Sequence, residues 1–474
     1  MPPLEGVPFT HKPPLHFWII GGLTYLFGTY SIWSFVLPSL IAFGLLIWLM
    51  QKIAGPVAAY VCATSLLVWG SAQTARMDVS FTLLITFAIW RIARFLDSSP
   101  PLPPGEGGRR LGEGRASRRP HDVTLAGIAL GIATLIKGPM APVIAILFFA
   151  LECWRRHRVP RVNYLPGVAA MIVIPLLWFI PAMSLGGGAY THEVLQKQLA
   201  GRAIGAWVHQ SPPWFYLLHS PGFLFPWFAA LVAALIARWR EERLAINWIL
   251  AVLIPYSLMS SKLDVYMMAL IPPVAIIVAN AVDRTRIANV ITLAVLLLAA
   301  IAGPFIKIKD GPPLTAIFVV LGVASAIGIV VSEGSGRLVR PGAASAALSR
   351  GRADETSAPL ASLIALGLVP IAVLVFVALT QMPLVNELAT PRPLIAALEK
   401  QRVPGDQIEL YYCPHLWSQD MPHDLEHVHY TSIPNPTVVA TARAHAKEIA
   451  PQLAGFHVVD SVKMIGKWFD VYRR

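Results

Sequence analysis

THKPPLHFW, residues 10–18, is the stretch from which the organisation of this chain can be worked out. Proline lacks a backbone N–H, and the residue before a proline is pushed out of the α region. No helix can therefore run from upstream through Lys12, Pro13 and Pro14. The stretch predicts that a helix starts at Leu15, with a cation at its amino end.

The composition is typical of a protein built from membrane helices. Hydrophobic residues make up 55% of the 474 residues and charged residues only 14%, whereas soluble domains carry about 25% charged residues. Twelve apolar segments approach the roughly 20 residues of a spanning helix: Ile32–Met50, Pro56–Ala72, Val79–Leu96, Val123–Ile136, Met140–Cys153, Tyr164–Leu185, Trp214–Ala237, Leu244–Ser260, Val265–Val282, Ile287–Phe305, Pro313–Val331 and Leu360–Leu379. The sequence predicts an all-α polytopic membrane protein with about 12 transmembrane helices.

The distribution of the positive charge predicts a topology. The net charge of +12 does not indicate a nucleic-acid partner, because hydrophobic spans separate the cations. Successive loops between the predicted spans lie on alternate sides of the membrane. The loops and helix ends on one side hold 21 Lys and Arg residues, and those on the other side before Thr380 hold eight. The positive-inside rule then places the rich side in the cytoplasm and both termini outside. To keep all the Arg-rich loops on one side, the apolar segment around Lys137-Gly138-Pro139 must be two helices. For the same reason the helix from Leu15 to Phe27 must lie along the outer surface and not cross the membrane.

Composition also predicts the domain boundaries. Residues 1–30 would form an outer-face loop and the interfacial helix, residues 31–382 the transmembrane domain, and residues 383–474 a small periplasmic α/β domain. The cytoplasmic loops 97–122 and 333–357 are rich in Pro, Gly and Arg or low in complexity, so we expect them to be disordered. In the last domain we predict helices at Thr390–Gln401 and Pro436–Ile449, and strands at Gln407–Cys413, His427–Ser432, Gly455–Val462 and Trp468–Tyr472.

Charged residues at the outward helix ends indicate where chemistry would take place. They fall in HKPPL (11–15), ARMD (75–78), IKGP (136–139), the long loop 186–213 and SSKLDVY (260–266). Five cations from these stretches could line one cavity that holds a phosphate or pyrophosphate: Lys12, Arg76, Lys137, Arg202 and Lys262. The alternative for each residue taken alone is an interfacial anchor that reaches to water.

The sequence does not support a metal cofactor. His415, His423, His427 and His429 match no strong zinc spacing, and the three cysteines contain no CxxC pair. We therefore predict no metal site, although a divalent metal stays possible.

The same five stretches resemble a known family. HKPPLHFW, ARMDVSFTLLITFAI, GIALGIATLIKGPMAP, HQSPPWFYLL and SSKLDVYMMALIPP occur in consistent order over roughly His11 to Pro273. Together they resemble the bacterial GT-C membrane glycosyltransferases of the protein-mannosyltransferase and aminoarabinose-transferase (ArnT-like) superfamily. The resemblance implies an inverting transfer of a sugar from a polyprenyl-phosphate donor, at the outer face of the inner membrane, to a lipid, glycan or protein acceptor.

The resemblance also implies roles for individual residues. Carried over, Lys12, Arg202, Lys262 and Tyr266 would lie near the lipid phosphate. The charged outward stretches add Arg76, Lys137 and His209 to the candidate substrate-binding set. Leu199 stands where the family has a His three places before its Arg, so a metal found in some relatives is not supported here.

A carboxylate must take the acceptor proton while cations hold the leaving group. Family members carry this base on an Asp-Glu loop after an additional first helix, and we expect this chain to start after that loop. Asp78 is then the candidate catalytic carboxylate. Two alternatives stay open: an inactive remnant that binds lipid-linked sugar, and a transporter or flippase. The transporter is disfavoured because the spans are nearly free of charge and contain no internal repeat.

The phosphate-binding assignment can be tested by removing its cations. Replacing Lys12, Arg202 and Lys262 with Ala should abolish binding of polyprenyl phosphate, because the charges that hold the phosphate are lost. Binding measured on the purified triple variant checks this, and affinity equal to that of the unmodified protein would contradict the assignment.

Overall fold

A computed structural model describes residues 3–4, 7–8, 12–27, 32–97, 120–160, 162–192, 211–303, 315–334, 351–380, 392–401, 403, 406–411, 428–429, 435–443, 446–447, 449–464 and 467–474. The chain divides into two compact units. The first contains residues 1–299 and 321–372, and the second contains residues 300–320 and 373–474.

Helices make up nearly all of the first unit, and the last three of them also include residues of the second unit. A short antiparallel pair, β1 (Pro3–Leu4) and β2 (Val7–Pro8), precedes them. The helices are α1 Leu15–Phe27, α2 Ile32–Thr64, α3 Leu66–Ala72, α4 Met77–Asp97, α5 Pro120–Lys137, α6 Met140–Arg155, α7 Leu165–His192, α8 Phe215–Phe223, α9 Phe228–Arg238, α10 Arg243–Leu258, a 3-10 helix Asp264–Leu270, α11 Ile271–Asn280, α12 Arg286–Ala302, α13 Thr315–Gly334 and α14 Gly351–Thr380. The predicted helix start at Leu15 and the predicted break between Lys137 and Met140 are both present.

The structure does not confirm the predicted number of membrane spans. Among the described residues, three helices are long and apolar enough to cross a membrane, judged by length and composition: Trp33–Thr64, Met77–Asp97 and Leu165–Gly188. The helices α8 and α9 form a fourth candidate, which is bent by 110°. The structure therefore shows a polytopic membrane fold, whereas twelve transmembrane helices stay a prediction.

The expectation of one helix over Trp214–Ala237 is wrong. Helix α8 ends at Phe223 and α9 starts at Phe228. Pro221 and Pro226 lie within this stretch, and proline removes a helical hydrogen bond and clashes with the preceding turn. A hydrophobicity pattern alone does not register that interruption.

Two glycines allow α5 and α7 to approach closely. A Cβ atom added at Gly127 would lie 2.0 Å from the carbonyl oxygen of Gly167, and one added at Gly167 would lie 2.5 Å from the carbonyl oxygen of Val123. Helices α4 and α5 also pack against each other. A salt bridge of 2.7 Å joins Arg91 Nη1 to Asp122 Oδ1 near one end of this pair.

The second unit contains helix α15 (Arg392–Lys400) and a five-stranded mixed sheet. Its strands are β3 Ile408–Tyr411, β4 Val428–His429, β5 Val438–Ala442, β6 His457–Met464 and β7 Lys467–Arg473, in the order β4-β3-β5-β7-β6. Strand β3 runs parallel to β4 and β5, and β7 runs antiparallel to β5 and β6. Leu394, Leu398, Ile408 and Val471 are buried between the helix and the sheet.

The helix predicted over Pro436–Ile449 is wrong, because residues 438–442 form the central strand β5. Its sequence VVATA is rich in β-branched residues, which favour strands. Beside this strand, Arg443 donates two hydrogen bonds to the Asp470 carboxylate, at 2.8 and 2.6 Å. These hydrogen bonds hold the pKa of Asp470 below its ordinary value.

The boundaries of the two predicted disordered loops need correction. Asp97 belongs to α4 and residues 120–122 belong to α5, so the first loop is shorter than predicted. Likewise α13 continues to Gly334 and α14 starts at Gly351. Residues 351–357, GRADETS, include the good helix formers Arg, Ala and Glu beside four weaker ones, so propensity alone does not predict this helix start. Residues 98–119 and 335–350 lie outside the described residues.

The contact between α5 and α7 gives a prediction about stability. Gly127→Ala should lower the thermal-denaturation midpoint of the detergent-solubilised protein, because the added methyl group overpacks the interface at a cost of about 1–3 kcal/mol. Gly44→Ala is the matched control, since a Cβ atom at this helical glycine meets nothing within 4 Å. Equal midpoints for the two variants would contradict the close packing.

Candidate active site

A buried ion pair joins two of the predicted site residues. Lys137 Nζ contacts Asp78 Oδ1, and the two side chains are 9% and 10% exposed. Asp78 lies in the first turn of α4 and Lys137 in the last turn of α5. A helix dipole favours an anion at the amino end and a cation at the carboxyl end, so each helix stabilises the charge that it carries.

The local sequence explains why Lys137 ends its helix. Gly138 has a φ of 96°, a left-handed conformation that glycine adopts without strain. Its N–H donates to the carbonyl oxygen of Thr134 at 2.9 Å, which closes the last turn of α5. Pro139 follows and α6 begins at Met140.

Aromatic rings enclose the ammonium group of Lys137. Lys137 Nζ lies 4.5 Å from the ring centroid of Tyr266 and 5.3 Å from that of Phe81. The ring of Tyr266 stacks on the ring of Tyr256, with 5.3 Å between centroids and 23° between planes. Cation–π contacts of this kind are strengthened where water is excluded. The Tyr256 hydroxyl is buried and has no hydrogen-bond partner among the described residues.

Lys262 lies in the connection before the 3-10 helix that carries Tyr266. It is 3% exposed, and its ammonium group donates to the carbonyl oxygens of Met259 and Ser211, the latter at 2.9 Å. Burial lowers the pKa of Lys262 from its ordinary value. The next residue, Leu263, donates its N–H to Tyr216 Oη at 3.3 Å, which fixes this connection to α8.

The amino-terminal stretch also reaches this region through His16. His16 is 3% exposed, and its Nε2 lies 3.3 Å from the carbonyl oxygen of Ala75, three residues before Asp78. The charges of both Asp78 and Lys12 act on the His16 ring. Lys12 itself is partly buried. The structure therefore brings the ARMD, IKGP and SSKLDVY stretches together at one end of the helices, with residues 12–16 beside them.

Arg76, another predicted site residue, makes a different contact. The Arg76 side chain is exposed, and its backbone carbonyl accepts a hydrogen bond of 3.0 Å from Ser39 Oγ. Arg202 and His209 lie outside the described residues, so their predicted roles stay predictions. Among the described residues, no group of three or more His, Cys, Asp or Glu side chains is arranged to hold a metal ion.

Sequence analysis missed His16, Tyr216 and Tyr256. Each is a buried residue next to a predicted one, and each falls within an apolar helix where an aromatic residue is usually part of the core. Tyr256 had one usable signal, since a tyrosine hydroxyl inside an apolar helix needs a partner.

Comparisons with known proteins agree with the resemblance seen in the sequence. Residues 11–101 match the family model of the dolichyl-phosphate-mannose-protein mannosyltransferases. Undecaprenyl phosphate-alpha-4-amino-4-deoxy-L-arabinose arabinosyl transferase 1 of Pseudomonas fluorescens is 26% identical over 307 residues, which cover 60% of this chain and 50% of that protein. The corresponding transferase of Pseudomonas aeruginosa is 26% identical over 311 residues, which cover 62% of this chain and 53% of that protein. The chain thus spans about half the length of the curated relatives it matches.

The fold is also similar to that of a solved structure. ArnT from Cupriavidus metallidurans bound to undecaprenyl phosphate superposes with a TM-score of 0.67 at 18% identity, covering 98% of this chain and 89% of that one. The structure without the lipid gives a TM-score of 0.64. These matches confirm the resemblance to the GT-C glycosyltransferases of the ArnT and protein-mannosyltransferase superfamily, and they show a GT-C membrane fold.

The ion pair gives a prediction about stability. Asp78→Asn should destabilise the protein by about 3–5 kcal/mol, because it leaves the Lys137 ammonium buried without a counter-charge. The double variant Asp78→Asn with Lys137→Met should lose less stability, since it has no unpaired buried charge. Denaturation of both variants in detergent measures the difference.

Glu241→Gln is the control for this experiment. Arg238 Nη1 lies 3.4 Å from Glu241 Oε2, and the Glu241 side chain is 66% exposed. Glu241→Gln should therefore change the free energy of unfolding by less than about 1 kcal/mol. If the double variant is at least as unstable as Asp78→Asn, the loss of stability does not come from the unpaired charge of Lys137, and the prediction is contradicted.

Proposed function

We propose that this chain is a glycosyltransferase that moves a sugar from a polyprenyl-phosphate carrier to an acceptor at the periplasmic face of a bacterial inner membrane. The apolar helices and the bacterial relatives indicate a multi-pass inner-membrane protein. The observation that carries the proposal is the buried Asp78–Lys137 pair, together with Lys262 and Lys12 on neighbouring connections. A carboxylate and several cations at one end of a helix bundle fit a sugar phosphate at a membrane surface.

The cations would hold the phosphate of the donor. Lys262 binds carbonyl oxygens in the described state, and an anionic phosphate is a stronger acceptor for an ammonium group than a neutral carbonyl. As the bond between sugar and phosphate breaks, negative charge grows on the leaving phosphate. Cations placed beside it stabilise that charge in the transition state. Lys12, Arg76, Arg202 and His209 join this set in the proposal, and Tyr266 orients Lys137 through its ring.

Asp78 would act as the general base. While Lys137 stays on Asp78, its ammonium group occupies the carboxylate that would accept the proton. The donor phosphate competes for the same ammonium, and once Lys137 turns to the phosphate, the carboxylate can take a proton from the acceptor hydroxyl. Attack by that hydroxyl on the sugar carbon opposite the phosphate inverts the configuration. The acceptor is a lipid, a glycan or a protein, and residues 383–474 would lie on the same periplasmic side.

Transfer from a labelled donor tests this function. Membranes from a strain that expresses the chain should transfer radiolabelled sugar from membrane polyprenyl phosphate to acceptor, and Asp78→Asn should reduce the rate by about 100-fold, the usual contribution of a general base. The same variant should still bind undecaprenyl phosphate, because its cations are intact.

Lys52→Ala is the matched control for the cations, since Lys52 is exposed on α2. It should leave binding of undecaprenyl phosphate unchanged, whereas Lys137→Ala should weaken it. Binding without any transfer by the unmodified chain would favour a lipid-sugar-binding protein. Movement of the lipid between leaflets without transfer would favour a flippase, and either result would overturn the proposal.

A further inference from the structure

An apolar cavity lies far from the candidate active site, between α4, α5, α6 and α7. Its volume is about 260 Å³, close to the lower end of ligand pockets, which occupy about 300–1,000 Å³. The close contact of Gly127 with Gly167 forms part of its wall. The Tyr164 hydroxyl does not make the cavity polar, because it donates to the carbonyl oxygen of Pro160.

The cavity opens towards the membrane. Two of its lining residues are exposed on the outer surface of the helices: Ile146 of α6 is 57% exposed and Val168 of α7 is 42% exposed. Of the most apolar 18 residues of α7, 11% are buried, compared with 39% and 61% in the other two long candidate spans. A helix with so little buried surface faces hydrocarbon, so the cavity mouth opens into the acyl-chain region.

Water does not fill such a cavity. An apolar cavity offers a water molecule no hydrogen-bond partners, and cavities of this kind stay dry or bind apolar molecules. The surrounding medium supplies one apolar molecule in abundance, the acyl chain of a lipid. Occupation by a chain restores the dispersion contacts that an empty cavity forfeits.

The depth of the cavity identifies which lipid would bind. Trp154 is 76% exposed and lies eight residues beyond Ile146 towards the end of α6, about 12 Å along the helix axis. Tryptophan marks the interface between hydrocarbon and head groups, and half of the hydrocarbon core is about 15 Å thick. The acyl chain of a lipid whose head group lies at Trp154 therefore reaches the cavity mouth within its own leaflet.

The polar end of this path is basic. Residues 154–158 read WRRHR. Asp97 and Glu152 accept hydrogen bonds from Arg155 and Arg156, and the segment itself contains three arginines and no acidic residue. Basic segments at the membrane surface attract anionic lipids.

In the proposed reaction the polyprenyl donor has its phosphate head group away from this position. Asp78 and Ile92 of the cavity wall are both in α4, and the 14 residues between their positions correspond to about 21 Å along the axis. A donor with its phosphate at Lys137 has its head group at the opposite end of the helices. We propose that this cavity is a binding site for one acyl chain of an anionic phospholipid, in the leaflet opposite the donor site.

Photolabelling tests the site directly. The full chain is reconstituted in vesicles of phosphatidylethanolamine and phosphatidylglycerol, with a trace of phosphatidylglycerol that carries a diazirine in its acyl chain. Irradiation should label peptides of α5, α6 and α7 around the cavity. Val168→Phe, which places a ring at the mouth, should reduce this labelling by about tenfold. Ile146→Phe, from the opposite wall of the mouth, should have the same effect.

Val173→Phe is the matched control, because Val173 is 49% exposed on the same helix and does not line the cavity. The Val173→Phe variant should be photolabelled to the same extent as the unmodified chain. Binding of undecaprenyl phosphate should be normal in all three variants, which separates this result from the proposed function. Labelling that neither mouth variant reduces would overturn the inference. Labelling that excess undecaprenyl phosphate displaces would also overturn it, since the occupant would then be an isoprenoid chain.

Discussion

The arrangement of this site depends on one interaction, the buried ion pair between Asp78 and Lys137. Two charges in a mostly apolar helix bundle would be costly if either stood alone. The pair is tolerable because the carboxylate lies at the amino end of α4 and the ammonium at the carboxyl end of α5, where each helix dipole favours the charge present. The aromatic ring of Tyr266 then covers an ammonium group that is already fixed in place.

A second ion pair explains why the first one is so well defined. Arg91 of α4 contacts Asp122 of α5 near the other end of the same two helices, at 2.7 Å. The signs are reversed: α4 supplies the anion at one end and the cation at the other. A slide of one helix along the other by a single turn would break both pairs and leave four charges without partners. The two pairs together therefore fix the register of α4 against α5.

Charge and backbone chemistry in the sequence were enough to place Asp78 and Lys137 on the same side of the helices, although not to predict that they pair. Gly138 and Pro139 indicated a helix break, and the parity of the arginine-rich connections required it, so Lys137 was placed at a helix end on the same side as Asp78. Hydrophobicity does not predict the break within residues 214–237, because the apolar pattern continues through Pro221 and Pro226. Strand β5 was assigned to a helix for a related reason: its pairing with β3 and β7 is a long-range effect, which local pattern does not contain. Tyr256 was missed because its contact with Tyr266 exists only after folding.

The same ion pair sets an order on the proposed reaction. In the described state Lys137 neutralises Asp78, so an acceptor that arrived first would meet a carboxylate already engaged by a cation. Only an anion that competes for Lys137 can release it, and the phosphate of the donor is the anion that the proposal supplies. Binding of the donor would therefore both place the leaving group among the cations and activate the base. The enclosure of Lys137 by Phe81 and Tyr266 strengthens this coupling, since exclusion of water removes the solvent that would otherwise screen the exchange.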